Sequence, residues 1–406
     1  EGTPETLGHQ HGRLLYPEMV RGEEQLYGDF AEHVPLAPAR WLLVDLGRVR
    51  FRGVDQGMRD AMRREIGAQA RAFSPDPFAG FLPTYHRFVF LHALYDIALS
   101  FERSPLVGCT SFVLRQGAFA GDHVVLARNF DFEASSFLDE GKAVFFVREE
   151  ERLAFASVAW PGLVGVVSGL NEAGVGLVVH GARAREPQTE GEPVVHAMRD
   201  VLARAHTAAE AVAVLAEKKA LVSHLVLVAD AAGDAAIVER APGETDTARR
   251  PAGARIPLTN HFEGPLATDP KNQGVEITTS TRPRRLRLDE LLTNLPSPAS
   301  VEDVVSVLRD RRATGGGQLP LGHRRAIDGL LATHGVVMDL SARVLWVSEG
   351  PHLLGRFVRF DAGKLLAPGY DPRSERDVVT LPADPLFGSP EYRSYVERGA
   401  PHPGAP

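Results

Sequence analysis

Cysteine is nearly missing from this chain: 406 residues hold one, Cys109. No disulfide can form within the chain, so the fold does not rest on a covalent staple. A lone cysteine suits a reducing compartment and equally an exported protein that needs no disulfides, which leaves localisation open. Long apolar runs are missing too. The best stretch, residues 221–231, is roughly half of what a bilayer-spanning helix requires, and it contains His224 and Asp230. A soluble chain without a membrane span is expected. There is no basic stripe either: Lys+Arg number 45 against Asp+Glu 52, the net charge is -7, and the cations are mostly scattered arginines. That excludes the electrostatic footprint of a nucleic-acid partner. What is present is ordinary globular material, 44% hydrophobic, enough for one large domain or two medium ones. Glu1 rather than Met opens the chain, and the expectation is that upstream residues, a signal peptide among the options, have been removed.

Metal and phosphate motifs are also lacking. Gly8-His9-Gln10-His11-Gly12 has no third ligand at useful spacing and no strand leading into a glycine loop, so it reads as close packing at a helix start. His86 and His92, six apart on a predicted helix, face different sides. The run Gly315-Gly316-Gly317 lacks the Lys-Ser/Thr ending of a phosphate loop and reads as a flexible linker. No cofactor and no metal are expected.

The periodicities fall into blocks. Residues 17–30, 57–73 and 85–101 carry apolar residues at helical spacing, separated by Pro-rich breaks at 35–38 and 74–77. From Cys109 the texture changes to short strands over 110–115, 123–132, 143–148, 152–159, 163–168 and 174–180, with a glycine-bearing hairpin connection at 169–174. A helix over 193–217 follows, then a hairpin of 224–230 and 235–240 and a strand ending in polar residues at 256–262. Thr281-Arg282-Pro283 opens a helix over 284–292, another covers 300–311, and late strands cover 334–340, 343–348 and 356–360. This order suits two packed, mainly antiparallel sheets covered by helices on both outer faces. The expected organisation is a helical N-terminal region at 1–108, an α+β sandwich domain at 109–366 and a Pro-rich irregular tail at 367–406.

Cys109 follows Gly108 and precedes Thr110 and Ser111. A thiol acting as a small core hydrophobe normally sits in an apolar run, and small hydrogen-bonding neighbours suit a nucleophile better. Attack on an acyl carbon needs the thiolate, hence a base, and donors for the developing oxyanion. No local pattern singles out one of the 15 histidines as that base; His180, at a strand end, reads as a satisfied structural histidine. A second solution is cleavage between Gly108 and Cys109, because the new α-amino group, with a reference pKa of about 7.7 to 8.0, can take the thiol proton itself.

Gly108-Cys109-Thr110-Ser111, Arg128-Asn129-Phe130-Asp131-Phe132, the stretch 169–174, Leu258-Thr259-Asn260-His261-Phe262 and the hairpin around 345–351 resemble, in order and spacing, the isopenicillin N acyltransferase family. That family belongs to the N-terminal-nucleophile hydrolases. The opening Gly2-Thr3-Pro4, with Gly8 and His11-Gly12, resembles the start of its propeptide, and the similarity runs over about residues 2–361. The resemblance implies a four-layer αββα fold made as a precursor that cuts itself before Cys109, with the α and β fragments staying associated. It implies that Asp131 contacts the α-amino group, that Arg128 lowers the thiol pKa, that Asn260 donates its side-chain amide to the oxyanion and that Ser111 serves in processing. A further active-site arginine matches Arg284 best, with Arg282 the competing register. Together these imply a cysteine amidohydrolase or acyltransferase acting on a small-molecule acyl amide, with a homo-oligomer left open. Two rival readings remain: an inactive binding protein on the same fold, which stays an intact chain, and a conventional Cys-His hydrolase, active without cleavage.

Overall fold

In a computed structural model the described residues are 1–100, 107–132, 137–371 and 378–399. Two neighbouring strands organise them: β1 (Val107–Leu114) and β2 (Val125–Phe132), antiparallel, with Gly108 opposite Asp131, Cys109 opposite Phe130 and Ser111 opposite Arg128. Side chains alternate between faces along a strand. Val113 and Leu126 therefore join an apolar cluster between two sheets, while Phe112, Leu114, Val125 and Ala127 point the other way against Leu288, Leu292, Val304 and Leu308 of helices Thr281–Asn294 and Val301–Leu308.

The remaining strands are β3 (Ala143–Val147), β4 (Phe155–Ala159), β5 (Ser168–Asn171), β6 (Val175–Gly181), β7 (His224–Asp230), β8 (Ala235–Arg240), β9 (Thr247–Arg249), β10 (Arg255–Leu258), β11 (Ala332–Asp339), β12 (Val344–Ser348), β13 (Phe357–Asp361) and β14 (Thr380–Leu381). They form two seven-stranded sheets, ordered β10-β1-β2-β11-β12-β13-β14 and β3-β4-β5-β6-β7-β8-β9. Every named pair is antiparallel. The second sheet carries helices Val194–Leu202 and Ala208–Ala216 on its outer face, so the layers run helix, sheet, sheet, helix. This is the expected α+β sandwich. β10 pairs with β1 only from Ser111 to Leu114, so the β1 segment through Gly108 and Cys109 is laddered on one side, to β2.

N-terminal helices Pro4–Leu14, Tyr16–His33, Asp60–Ala72, Thr84–His92 and Leu94–Leu99 pack beside the second sheet. Gly8 and Gly12 let the first and third of these touch backbone to backbone: a Cβ on Gly8 would lie 2.0 Å from the Glu65 carbonyl oxygen. Phe101, the end of the third predicted helix, lies outside the described residues.

Four expectations are corrected. A helix, Ala37–Arg50, starts inside the predicted break at 35–38, with Pro38 in its first turn, where proline is tolerated. The strand predicted over 163–168 is irregular because its backbone bonds elsewhere: Val164 N–H donates to His92 Nε2 (2.9 Å) and Val166 N–H to the Val195 carbonyl (2.9 Å), so β5 begins only at Ser168. The helix predicted over 193–217 is two, the second capped by Thr207, whose side chain accepts from Glu210 N–H. The tail predicted as irregular contributes β14 to the first sheet and forms a helix, Pro390–Glu397, capped by Ser389.

Candidate functional site

Toward its Val107 end the β1–β2 ribbon exchanges apolar for polar side chains, all of them deeply buried. On the inner face, between the sheets, stand Cys109, Ser111 and Arg128. Arg128 Nη2 donates to Cys109 Sγ (3.2 Å) and to the Val179 carbonyl; Nη1 donates to the Val167 carbonyl and to Ser168 Oγ (2.7 Å). Its guanidinium carbon lies 4.2 Å over the Phe130 ring. Among the described residues no carboxylate comes within ion-pair distance of this buried cation. Burial holds the Cys109 thiol above its ordinary pKa, and the charge and hydrogen bond of Arg128 offset that only in part.

On the opposite face, toward helix Thr281–Asn294, lie Asp131 and Arg284. Arg284 Nη1 donates to the Cys109 carbonyl and to Thr110 Oγ1 (2.9 Å), and Nη2 to Asn260 Oδ1 (2.9 Å). Arg282, the competing arginine, is instead a surface residue paired with Glu276 at 3.2 Å. Asp131 faces Gly108, with Oδ2 3.4 Å from where a Cβ on that glycine would stand. Its Oδ1 has no hydrogen-bond partner among the described residues. Burial holds the Asp131 carboxyl up at about 7, against the nearby Arg284 charge.

Asn260, two residues beyond the end of β10, closes the site. Its Oδ1 accepts from Cys109 N–H (2.8 Å), its Nδ2 donates to the Gly181 carbonyl (2.9 Å), and its own N–H donates to Thr281 Oγ1 (2.8 Å). In the uncut chain Asn260 shows its oxygen to Cys109, since two donors, Cys109 N–H and Arg284 Nη2, converge there and need an acceptor. Ser111 reaches His180: Oγ and Nε2 are 2.6 Å apart, and Nδ1 lies 3.1 Å from the Thr259 carbonyl. A ring nitrogen facing a carbonyl carries the proton, so Nε2 accepts from the serine hydroxyl. Burial depresses the His180 pKa well below the usual histidine range, and Arg128 and Arg284 add to it.

The structure therefore brings Gly108, Cys109, Ser111, Arg128, Asp131, Asn260 and Arg284 to one place. Sequence reading missed Ser168 and His334, whose Nε2 lies 2.9 Å from Ser168 Oγ, and read His180 chiefly as a satisfied structural histidine, with a place in a pocket wall as the alternative. Ser168 and His180 come from strands of the other sheet and His334 from β11, the neighbour of β2, and no local motif announces them. Against Phe130, the residue opposite Cys109 on β2, opens an apolar cavity walled also by Phe132 and Trp160 and roofed by Met19, Leu91 and Tyr95 from the N-terminal helices. Among the described residues no cluster of His, Cys, Asp and Glu could hold a metal ion, and no helix is long and apolar enough to cross a membrane.

Several known proteins are similar to this chain. An uncharacterized protein of Archaeoglobus fulgidus is 26% identical over 255 residues, 57% of this chain and 41% of its own length. The chain thus matches about two fifths of that curated relative. Among solved structures, penicillin V acylase from Agrobacterium tumefaciens is 21% identical with a TM-score of 0.43, over 62% of this chain and 91% of its own. The Caenorhabditis elegans ortholog of N-acylethanolamine-hydrolyzing acid amidase is 16% identical with a TM-score of 0.43, over 57% and 93%. A mutant conjugated bile acid hydrolase from Clostridium perfringens is 13% identical with a TM-score of 0.43, over 68% and 97%. The sequence model of one family matches residues 119–315, the stretch that supplies Arg128, Asp131, Asn260 and Arg284. That family is acyl-coenzyme A:6-aminopenicillanic acid acyl-transferase, and its model covers just under half of the chain.

Proposed function

We propose that this protein is a self-processing cysteine amidohydrolase or acyltransferase: the bond between Gly108 and Cys109 is cut, and Cys109, then the first residue of the larger fragment, attacks a small-molecule amide. The observation that carries this reading is the buried Arg128 guanidinium, which has no carboxylate partner among the described residues and donates to Cys109 Sγ at 3.2 Å. A buried cation without a counter-ion is costly. A thiolate at Cys109 is the anion that would balance it, and the same contact lowers the thiol pKa.

In the cut chain the nitrogen of Cys109 becomes an amine beside Asn260 Oδ1, now 2.8 Å away, with the Asp131 carboxyl next to the position Gly108 vacates. That amine takes the thiol proton. The thiolate adds to the substrate carbonyl carbon, the tetrahedral adduct collapses to an acyl-enzyme, and the departing amine receives the proton held at the α-ammonium. Water or a second amine then takes the acyl group from sulfur. Water requires no acceptor pocket of its own, so hydrolysis is the primary reading and acyl transfer the second. The apolar wall of Phe130, which is opposite Cys109 on β2, together with Phe132 and Trp160 suits an apolar acyl group. A conventional Cys-His pair is less well supported, since among the described residues no histidine hydrogen-bonds the sulfur and His180 is engaged by Ser111.

Intact-mass measurement of freshly purified protein, followed by a screen of N-acyl amines and N-acyl amino acids with mass detection, tests the proposal. Two fragments with Cys109 at a free N-terminus, and acylation at that residue, are expected. Only intact chain with turnover, or turnover that survives Cys109→Ala, overturns it.

A further inference from the structure

The cavity at Phe130, opposite Cys109, is lined almost wholly by carbon, and its few polar groups can be accounted for one by one. Glu23 is bound to Arg87 and Tyr27, both at 2.8 Å. Trp160 Nε1 donates to the Leu138 carbonyl at 2.6 Å. Tyr95 is different: it is 95% buried, and its hydroxyl has no hydrogen-bond partner among the described residues. Buried tyrosines normally bond their hydroxyl, and an orphaned one in a cavity wall points to a ligand. The ring is held in place. It stacks toward Phe130 (centroids 6.4 Å apart, planes at 22°), the residue opposite Cys109 on β2. The next residue, Asp96, is anchored by Val194 N–H at 3.2 Å, at the start of helix Val194–Leu202. Burial, and then the proximity of Cys109, hold the phenol well above its ordinary pKa, so it stays a donor.

Among the donors around Cys109, Arg128 Nε and the Tyr95 hydroxyl are unspent, and of the two residues only Tyr95 lines the cavity. Asn260 Nδ2 is turned to Gly181, and Cys109 N–H is given to Asn260 Oδ1. We propose that the Tyr95 hydroxyl, supplied by the N-terminal helical region, hydrogen-bonds the substrate carbonyl oxygen as Cys109 attacks it; this rests on the nucleophile reading above. When Sγ bonds to the carbonyl carbon, the C=O π pair moves onto oxygen, and Tyr95 stabilises that charge by donating without giving up its proton. When the adduct collapses the pair returns to the C=O bond and the amine leaves with the proton from the α-ammonium. The 1–108 segment is then part of the catalytic site, so the site is incomplete if that segment is lost after processing.

Two reagents separate this role from others. Acylation of Cys109 by p-nitrophenyl octanoate passes through an oxyanion, whereas alkylation by iodoacetamide does not. In the full-length processed protein, Tyr95→Phe should slow acylation, followed by nitrophenolate release and intact mass, roughly 100-fold, with alkylation unchanged. Unchanged acylation overturns the proposal. An equal fall in both rates also overturns it, because the hydroxyl would then act on the thiol or the fold. Wild-type protein modified at Cys109 by neither reagent would instead sink the nucleophile reading, and Tyr95's role with it.

Discussion

The two ends of the β1–β2 ribbon are built on opposite principles. Toward Leu114 it buries Val113 and Leu126 between the sheets, and any side chain of the right size would serve there. Toward Val107 it buries Cys109, Ser111 and Arg128, each of which depends on particular atoms from β5, β6 or the residues after β10. The first end makes stability without specifying chemistry. The second gives up apolar burial for an ordered set of charges and donors, a cost that only a function would maintain.

The contrast can be broken at its centre first. Cys109→Ala should leave a folded, single intact chain by mass spectrometry with no turnover at all; residual turnover would mean that the polar end is not organised around the sulfur. At the apolar end, Leu126→Ala should cost about 2–5 kcal/mol in denaturant unfolding while the iodoacetamide reactivity of the folded fraction holds. Arg128→Met should do the reverse, slowing alkylation of Cys109 roughly 100-fold with a melting temperature equal to or above wild type, because a buried charge without a carboxylate partner is exchanged for an apolar chain. Unchanged alkylation would remove Arg128 from the argument.

The smallest effect concerns acid. Burial keeps the His334 pKa well below the usual value of about 6.5, so the folded state holds it neutral while the unfolded chain takes up its proton. Its contribution to stability is complete above that value and is lost as pH falls below it. His334→Phe, placed against Phe130 and Trp160, should make the decline of unfolding free energy below about pH 6.5 shallower by up to about 1.4 kcal/mol per pH unit. Parallel curves for the two proteins would show that His334 does not titrate differently on folding.

Much of this arrangement was legible in the chain. Alternation gave β1, β2, β7 and β8 close to their true bounds, and the motif order gathered the residues of the site. What was not legible depended on contacts between distant segments. The stretch 163–168 has strand composition but spends its N–H groups on His92 and Val195. Tyr95 occupies a helical repeat like any core aromatic, and only the cavity reveals its unspent hydroxyl. The orientation of the Asn260 amide follows from two donors, Cys109 N–H and Arg284, that lie 151 and 24 residues away in sequence.

The one-sided pairing at the start of β1 has a mechanical consequence. Only two rungs, Val107 with Phe132 and Gly108 with Asp131, lie on the far side of the bond proposed to break, and six, from Cys109 to Leu114, lie on the near side. β10 grips the strand only within that larger part. Severing the backbone there would unfasten the hem of the sheet and leave its weave intact, so a newly made chain end would inherit its position from the precursor without needing to find it.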